Sequence, residues 1–346
     1  MNFPPLELPA TQLAAAPSMQ QIFSGNAGTG AVFLCLAAIL VYIAVRAIFG
    51  ALCGLGVERA QVLATVIPAV TGAAVVAGAG HPAAAMFGIT GAAVACLTLV
   101  LGLTATTREP GENGPAFDQP LEVRPIALVF PAGALLGLLA LVGDFDLIAV
   151  LPAVIGSLAL LVLVGMGRTG VKTATFGVAG TLMVVLGLAA IIGAIGLVGL
   201  SADWMANSAG QQLPELFATV VGGPILAIPL VGITSLRAMT GQKSAAMSSC
   251  IRSAVMTMAV GLPIVLLIGL IRVALEGPAG DEPWTLWDIA FPAGIRLWRL
   301  DAAVLALVGL ILLPVATGRG RISGMEGIIL LLLFPAYLVA TTLMTW

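Results

Sequence analysis

The sequence predicts an all-α integral membrane protein of ten transmembrane helices, arranged as two inverted five-helix repeats. Three observations carry that expectation. The composition is too apolar for water, ionisable residues recur at the spacing of membrane spans, and the two halves share one order of short and long connections. Of the 346 residues, 60% are hydrophobic and 9% charged, with a mean hydropathy of +1.13. Soluble domains carry roughly 25% charge. A soluble fold of this size could not hide so much apolar surface, so the solvent is lipid. The 42 glycines suit this reading, because small residues let membrane helices approach closely.

The expected spans are 29–50, 60–79, 83–104, 125–143, 146–166, 174–200, 215–238, 245–272, 299–317 and 324–344. Each is near the ~20 apolar residues that cross about 30 Å of hydrocarbon. Residues 1–28 hold no Lys or Arg. They lack the positive segment of a signal peptide and read as an extracytoplasmic lead-in. Residues 29–166 then make the first five-helix repeat and 174–344 the second. The longest polar connections, 105–124 and 273–298, are too short to be separate domains. Cations between the spans set the orientation. One side carries Arg46, Arg59, Arg108, Arg124, Arg168, Lys172, Arg237, Lys243, Arg319 and Arg321, and the other Arg272, Arg296 and Arg299. Ten against three places the first side in the cytoplasm and both termini outside, in a membrane of the bacterial inner (plasma) type.

Five spans is an odd number, so a second copy of the first half is inverted in the membrane. Such repeats are a transporter architecture, with substrate at the midplane where helices are interrupted. The interruptions fall at matching places. Span 2 contains Pro68 and ends at Gly78, Gly80 and Pro82, and span 7 contains Gly222, Gly223, Pro224, Pro229 and Gly232. A proline inside a helix removes one hydrogen bond and leaves a carbonyl without its donor. Other chemistry is sparse. His81 is the only histidine, which excludes a metal or haem site built from several histidines. Cys35, Cys53, Cys96 and Cys250 form no C-x-x-C pair and read as small apolar fillers. No resident cofactor is implied. The net charge of −2 gives no basis for a nucleic-acid partner. No paired intramembrane Asp and no G-x-S-x-G is present, so an enzyme is not expected.

The segment GRGRISGMEGIILLLLFPAYLVATTL (318–343) resembles the final hairpin of the cation/calcium exchanger superfamily, with Gly-x-Ile-Ser-x-x-Glu-Gly leading into a Leu-rich helix. LGVERAQVLATVIPAVTG (55–72) is similar to the start of that family's first repeat, and GHPAAAMFGITGAAVACLTLVLGL (80–103) to the helix that follows. PELFATVVGGPILAIPLVGITSLRAMTGQ (214–242) and the next helix take the equivalent places in the second half. The resemblance implies cation antiport across the membrane, with Na⁺, Ca²⁺ or H⁺ as transported ions. The departures are specific. Where the family carries Gly-Thr-Ser-x-Pro-Glu, the first repeat reads Val70-Thr71-Gly72-Ala73-Ala74-Val75. In the second repeat Pro229 matches the motif proline and is followed by Leu230. Where the family has Gly-Asn-x-x-Gly-Ser-Asn, the chain reads Phe87-Gly88-Ile89-Thr90-Gly91-Ala92-Ala93 and Ser248-Ser249-Cys250-Ile251-Arg252-Ser253-Ala254. The chain is thus expected to be a divergent relative without the ion-binding glutamates. Glu215, in Leu213-Pro214-Glu215-Leu216, reads as a carboxylate at a helix start, favoured there by the helix dipole.

Ca²⁺ wants six to eight oxygens, usually with carboxylates among them. The expected midplane offers hydroxyls instead: Thr65, Thr71 and Thr90 in the first repeat, and Thr234, Ser235, Ser248, Ser249 and Ser253 in the second. Each of these can also bond back to its own helix. Arg252 lies nine residues beyond Lys243, about 13 Å along a helix. A charge at that depth costs at least ~2.5–3.5 kcal/mol. It reads as a fixed cation replacing a bound ion, as a charge for an anionic substrate, or as a side chain snorkelling toward Lys243. Asp144, Asp146, Asp203, Asp281 and Glu282 are expected in outward-facing loops. Three functions remain open: an exchanger-like cation transporter with degenerate motifs, a transport-inactive subunit or scaffold, and an anion or neutral-solute transporter using Arg252.

Overall fold

The computed structural model describes residues 26–107, 119–120, 127, 129, 132, 145–165, 177–209, 218–276, 290–291, 295–315 and 321–345. The helices are α1 Asn26–Leu52, α2 Val57–Gly78, α3 Pro82–Ala95 and α4 Leu101–Thr106, then α5 Leu147–Gly165 and α6 Val178–Ala209. They continue with α7 Gly223–Met239, α8 Lys243–Glu276, α9 Ile295–Pro314 and α10 Gly324–Thr345. A π-turn over Cys96–Val100 joins α3 to α4 as one span, and another over Ala218–Gly222 leads into α7. Eight of these segments are long and apolar enough to cross a membrane, and Val150–Val162 within α5 adds a shorter apolar stretch. They make the chain an integral membrane protein. Nine of the ten expected spans coincide with an observed helix. The expected span 125–143 lies outside the described residues except for Ala127, Val129 and Ala132, each helical.

Burial sorts the helices into an inside and an outside. The segment Pro82–Thr106 is 89% buried, whereas Val178–Gly199 is only 17% buried. The second figure would be untenable in water. Val178, Leu182, Val185 and Leu186 on α6, with Val32, Ile39 and Ile43 on α1, face outward as an apolar surface that only lipid satisfies. α1 and α6 pack along each other at the edge of the bundle. α8 packs against α2, α3 and α5, and α7 packs against α3. The connections pair as well. β1 Gln119–Pro120 runs antiparallel to β4 Arg321–Ile322, and β2 Phe145–Asp146 to β3 Ala290–Phe291.

Local chemistry fixes several helix ends. Gly80 turns the chain between α2 and α3 with φ +105°, a conformation that L side chains rarely adopt. The guanidinium of Arg272, on α8, lies against this turn and donates to the Gly78 carbonyl at 2.6 Å, placing a cation on the negative end of α2. At the start of α10 the sequence Ser323-Gly324-Met325-Glu326 forms a capping box. The Ser323 N–H donates to Glu326 Oε2 at 2.6 Å, and the Glu326 N–H donates to Ser323 Oγ at 3.3 Å. The Ile-Ser-x-x-Glu stretch singled out above therefore has a physical role of its own.

A close backbone crossing joins α7 to α3. A Cβ built on Gly223 would lie 2.6 Å from the Gly91 carbonyl carbon and 2.7 Å from the Ala92 nitrogen. Backbone meets backbone there, and nothing larger than hydrogen fits. At the neighbouring Gly222 an added Cβ would meet nothing within 4 Å. Gly223→Ala is accordingly expected to destabilise the protein by about 1–3 kcal/mol, as overpacking does. Gly222→Ala should be near neutral, and thermal unfolding of the two variants in detergent or lipid separates them.

Candidate functional site

Among the described residues, three interior features stand out. The first is a cavity of about 100 Å³ between α1, α2, α3, α6 and α7. Its walls are Val41, Ala69, Gly72, Ala73, Val76, Ala84, Ala85, Gly88, Ile191, Ala194, Ile195, Val198, Gly222, Ile225 and Leu226. None of these side chains carries a polar atom, so the wall offers no side-chain oxygen to a cation. The only latent polar groups are main-chain ones. Pro68 and Pro229, both buried, cannot donate to the carbonyls of Ala64 and Ile225, and Ile225 borders the cavity.

The second feature is a buried polar cluster at one end of the bundle, near the start of α2, the end of α7 and the start of α8. Arg237, 7% exposed, donates through Nη1 to Gln61 Oε1 and to Ser249 Oγ, the latter at 3.3 Å. Its Nε donates to Gln242 Oε1 at 3.3 Å. Gln61 Nε2 in turn reaches the Ala246 carbonyl at 3.5 Å, and Glu58 acts on the guanidinium electrostatically. The fork of an arginine suits this task, since its several donors bind three helix ends at once. Lys243 is buried beside the same turn. Arg237 and Lys243 had been read as loop cations. Here both are enclosed: α7 and α8 meet in a tight turn at Gly241, and the flanking Arg237 and Lys243 are buried.

The third feature lies at the opposite end, about two turns below the N-terminal ends of α3 and α9. Asp301 on α9 is 1% exposed. Thr90 on α3 hydrogen-bonds its Oδ2, and the Tyr337 hydroxyl on α10 donates to its Oδ1 at 2.8 Å. Thr90 Oγ1 also lies 3.2 Å from the Phe87 carbonyl and 3.4 Å from that of Met86. Trp298 packs edge-on against Phe87 at 6.2 Å, closing the group on the α9 side.

The expected site residues are distributed among these features. Thr90 reaches Asp301. Ser249 accepts from Arg237 while donating to the Ala245 carbonyl at 2.7 Å. Thr65, Thr234 and Ser253 are buried and donate to their own helices, to Gln61, Leu230 and Ser249 carbonyls at 2.9, 2.8 and 2.8 Å. Pro229 and Ser248 are buried, and Thr71 and Ser235 are half-buried. Arg252 is half-buried on α8 and engages other groups. These residues do not converge on one point. Glu215 lies outside the described residues, as do Asp144, Asp281 and Glu282. The sequence reading passed over Asp301, Tyr337 and Gln61. A signal for Asp301 was present in Leu297-Trp298-Arg299-Leu300-Asp301-Ala302. The apolar residues before the acid extend the span to Leu297 and so carry Asp301 below the interface.

Solved structures have the same architecture. The H⁺/Ca²⁺ exchanger CAX superposes with a TM-score of 0.63 at 16% identity, over 95% of this chain and 85% of that one. The sodium–calcium exchanger NCX_Mj, soaked with 10 mM Na⁺ and 10 mM Sr²⁺, gives 0.58 at 16% identity, over 90% of this chain and 98% of that one. The fold is that of the cation/calcium exchangers. No protein-family profile and no curated protein sequence matches the chain. Within this exchanger fold the Arg237 cluster joins α2 to α7 and α8. Arg237→Met strands the buried Gln61 oxygen and should cost about 1–3 kcal/mol. Adding Gln61→Leu, which removes the stranded group, should return part of that loss in thermal unfolding.

Proposed function

We propose that this chain is a secondary transporter of the cation/calcium exchanger superfamily whose ion-binding motifs have degenerated, so that it exchanges monovalent cations and does not bind Ca²⁺ tightly. The observation that carries this reading is the pairing of an exchanger fold with an apolar-walled cavity beside the α3–α7 crossing. Ca²⁺ asks for six to eight oxygens, commonly including carboxylates, and the cavity wall presents none. Na⁺ can be held by neutral oxygens alone, such as the main-chain carbonyls that Pro68 and Pro229 leave without their helical donors.

Two inverted repeats, 29–166 and 174–344, account for the packing. Exchanging α1 with α6, α2 with α7 and the α3–α4 span with α8 turns the contact of α2 with α8 into that of α7 with α3. The same exchange turns the β1–β4 pair into the β3–β2 pair. Ten spans with both termini outside the cytoplasm, in a bacterial inner membrane, complete the reading. No enzymatic activity is part of it.

The apolar cavity also favours a second reading, a transport-inactive homologue serving as subunit or scaffold of a membrane complex. Proteoliposomes separate the two. Sodium uptake driven by an imposed ion gradient, without matching calcium uptake, is the expected result. Uptake of both ions equal to that of empty vesicles supports the scaffold. Arg252→Ala is expected to leave sodium flux intact. Loss of an anion flux in that variant would instead make Arg252 the substrate charge.

A further inference from the structure

Asp301 is the one buried acid among the described residues, and its place in the fold is unusual for a structural side chain. It stands inside a membrane span, and the groups that bond it are hydroxyls, one from each neighbouring helix. A carboxylate so enclosed is poorly compensated as an ion, whereas the neutral acid is not penalised. The geometry serves both forms. When Asp301 is ionised, the Thr90 hydroxyl donates to Oδ2. When Asp301 carries a proton, Oδ2 donates to Thr90 Oγ1, and the Thr90 hydroxyl turns to the Phe87 carbonyl at 3.2 Å or the Met86 carbonyl at 3.4 Å. Tyr337 donates to Oδ1 in either form. Rotation of one O–H bond therefore satisfies every polar atom in both states, which an acid held only for structure does not require.

We propose that Asp301, with Thr90 and Tyr337, is a proton-exchange site, and that the proton is a coupling ion of this transporter. The coupling half rests on the reading of the chain as a cation transporter, whereas the site itself does not. Thr90 precedes Gly91, whose backbone is the surface against which Gly223 of α7 closes, and Gly88 on the same helix borders the cavity. Drawing α9 toward α3, or releasing it, thus acts on the helix that shapes the cavity. The other titratable groups on the elements packed here are few. α3 carries exposed His81 at its start and Cys96 at its end, and α8, packed on α3, carries Cys250, Arg252 and Arg272. α9 carries Arg296 and exposed Arg299, and α10 carries Glu326 at its far end. Arg237 and Lys243 lie at the opposite end of the bundle.

The full-length protein in lipid vesicles tests this by infrared difference spectroscopy across a pH series. The expected result is a carboxylic-acid carbonyl band that titrates reversibly and is lost in Asp301→Asn. Tyr337→Phe keeps the acid but removes one donor, so it should move the band in frequency. Thr90→Val removes a hydroxyl that bonds the charged carboxylate more strongly than the neutral acid, so it should move the midpoint by about tenfold in proton concentration. These two variants carry the test if Asp301→Asn does not fold. A titrating band that survives Asp301→Asn, a band that does not titrate, or one indifferent to both Tyr337→Phe and Thr90→Val overturns the site. In the same vesicles, with a trapped pH dye, a sodium gradient should move protons in the wild type and not in Asp301→Asn. A titrating Asp301 band without any gradient-driven sodium flux overturns the transporter reading and leaves the site. Sodium flux without a titrating band does the reverse.

Discussion

The contact on which the architecture depends is the backbone-to-backbone crossing of α7 on α3. Gly223 lies on the peptide linking Gly91 to Ala92, so the two helices approach as closely as chains can. In lipid, helices gain little from hiding apolar side chains, because the tails outside are as apolar as the core. Association then relies on close van der Waals packing, which small residues permit. The same logic recurs where Gly102 and Gly327 bring α4 and α10 together, and where Gly187 on α6 meets Ile48 on α1. From the α3–α7 crossing the rest follows in space. Gly222 and Gly88 open onto the cavity beside it, and Thr90 is carried to the level of Asp301.

The buried charged side chains among the described residues, Arg237, Lys243 and Asp301, lie at two levels. At one end an arginine ties three helix ends through side-chain oxygens. At the other an acid is held by two hydroxyls. Beside the acid, along α3 toward its start, lies a cavity walled by alanine, valine, glycine, isoleucine and leucine. Charges are expensive in hydrocarbon, so Arg237 and Asp301 are each held by directional bonds from neighbouring helices.

The sequence by itself determined the solvent of this protein, nine of the observed helices and several of their ends. These features are local. Hydropathy over some twenty residues, a capping box at Ser323–Glu326 and a glycine turn at Gly80 each act within one stretch of chain. Thr90 and Ser249 were legible as polar residues on buried faces, but not their partners. Only the tertiary structure decided that Thr90 meets an acid 211 residues away, and that Gln61 meets Arg237 across 176 residues. Nothing in the spacing of either residue encodes its partner. The pairing arises when helices from different parts of the chain cross at a fixed height. That height is set in part by close glycine contacts, such as Gly223 against the Gly91 backbone, that make no polar contact with either cluster.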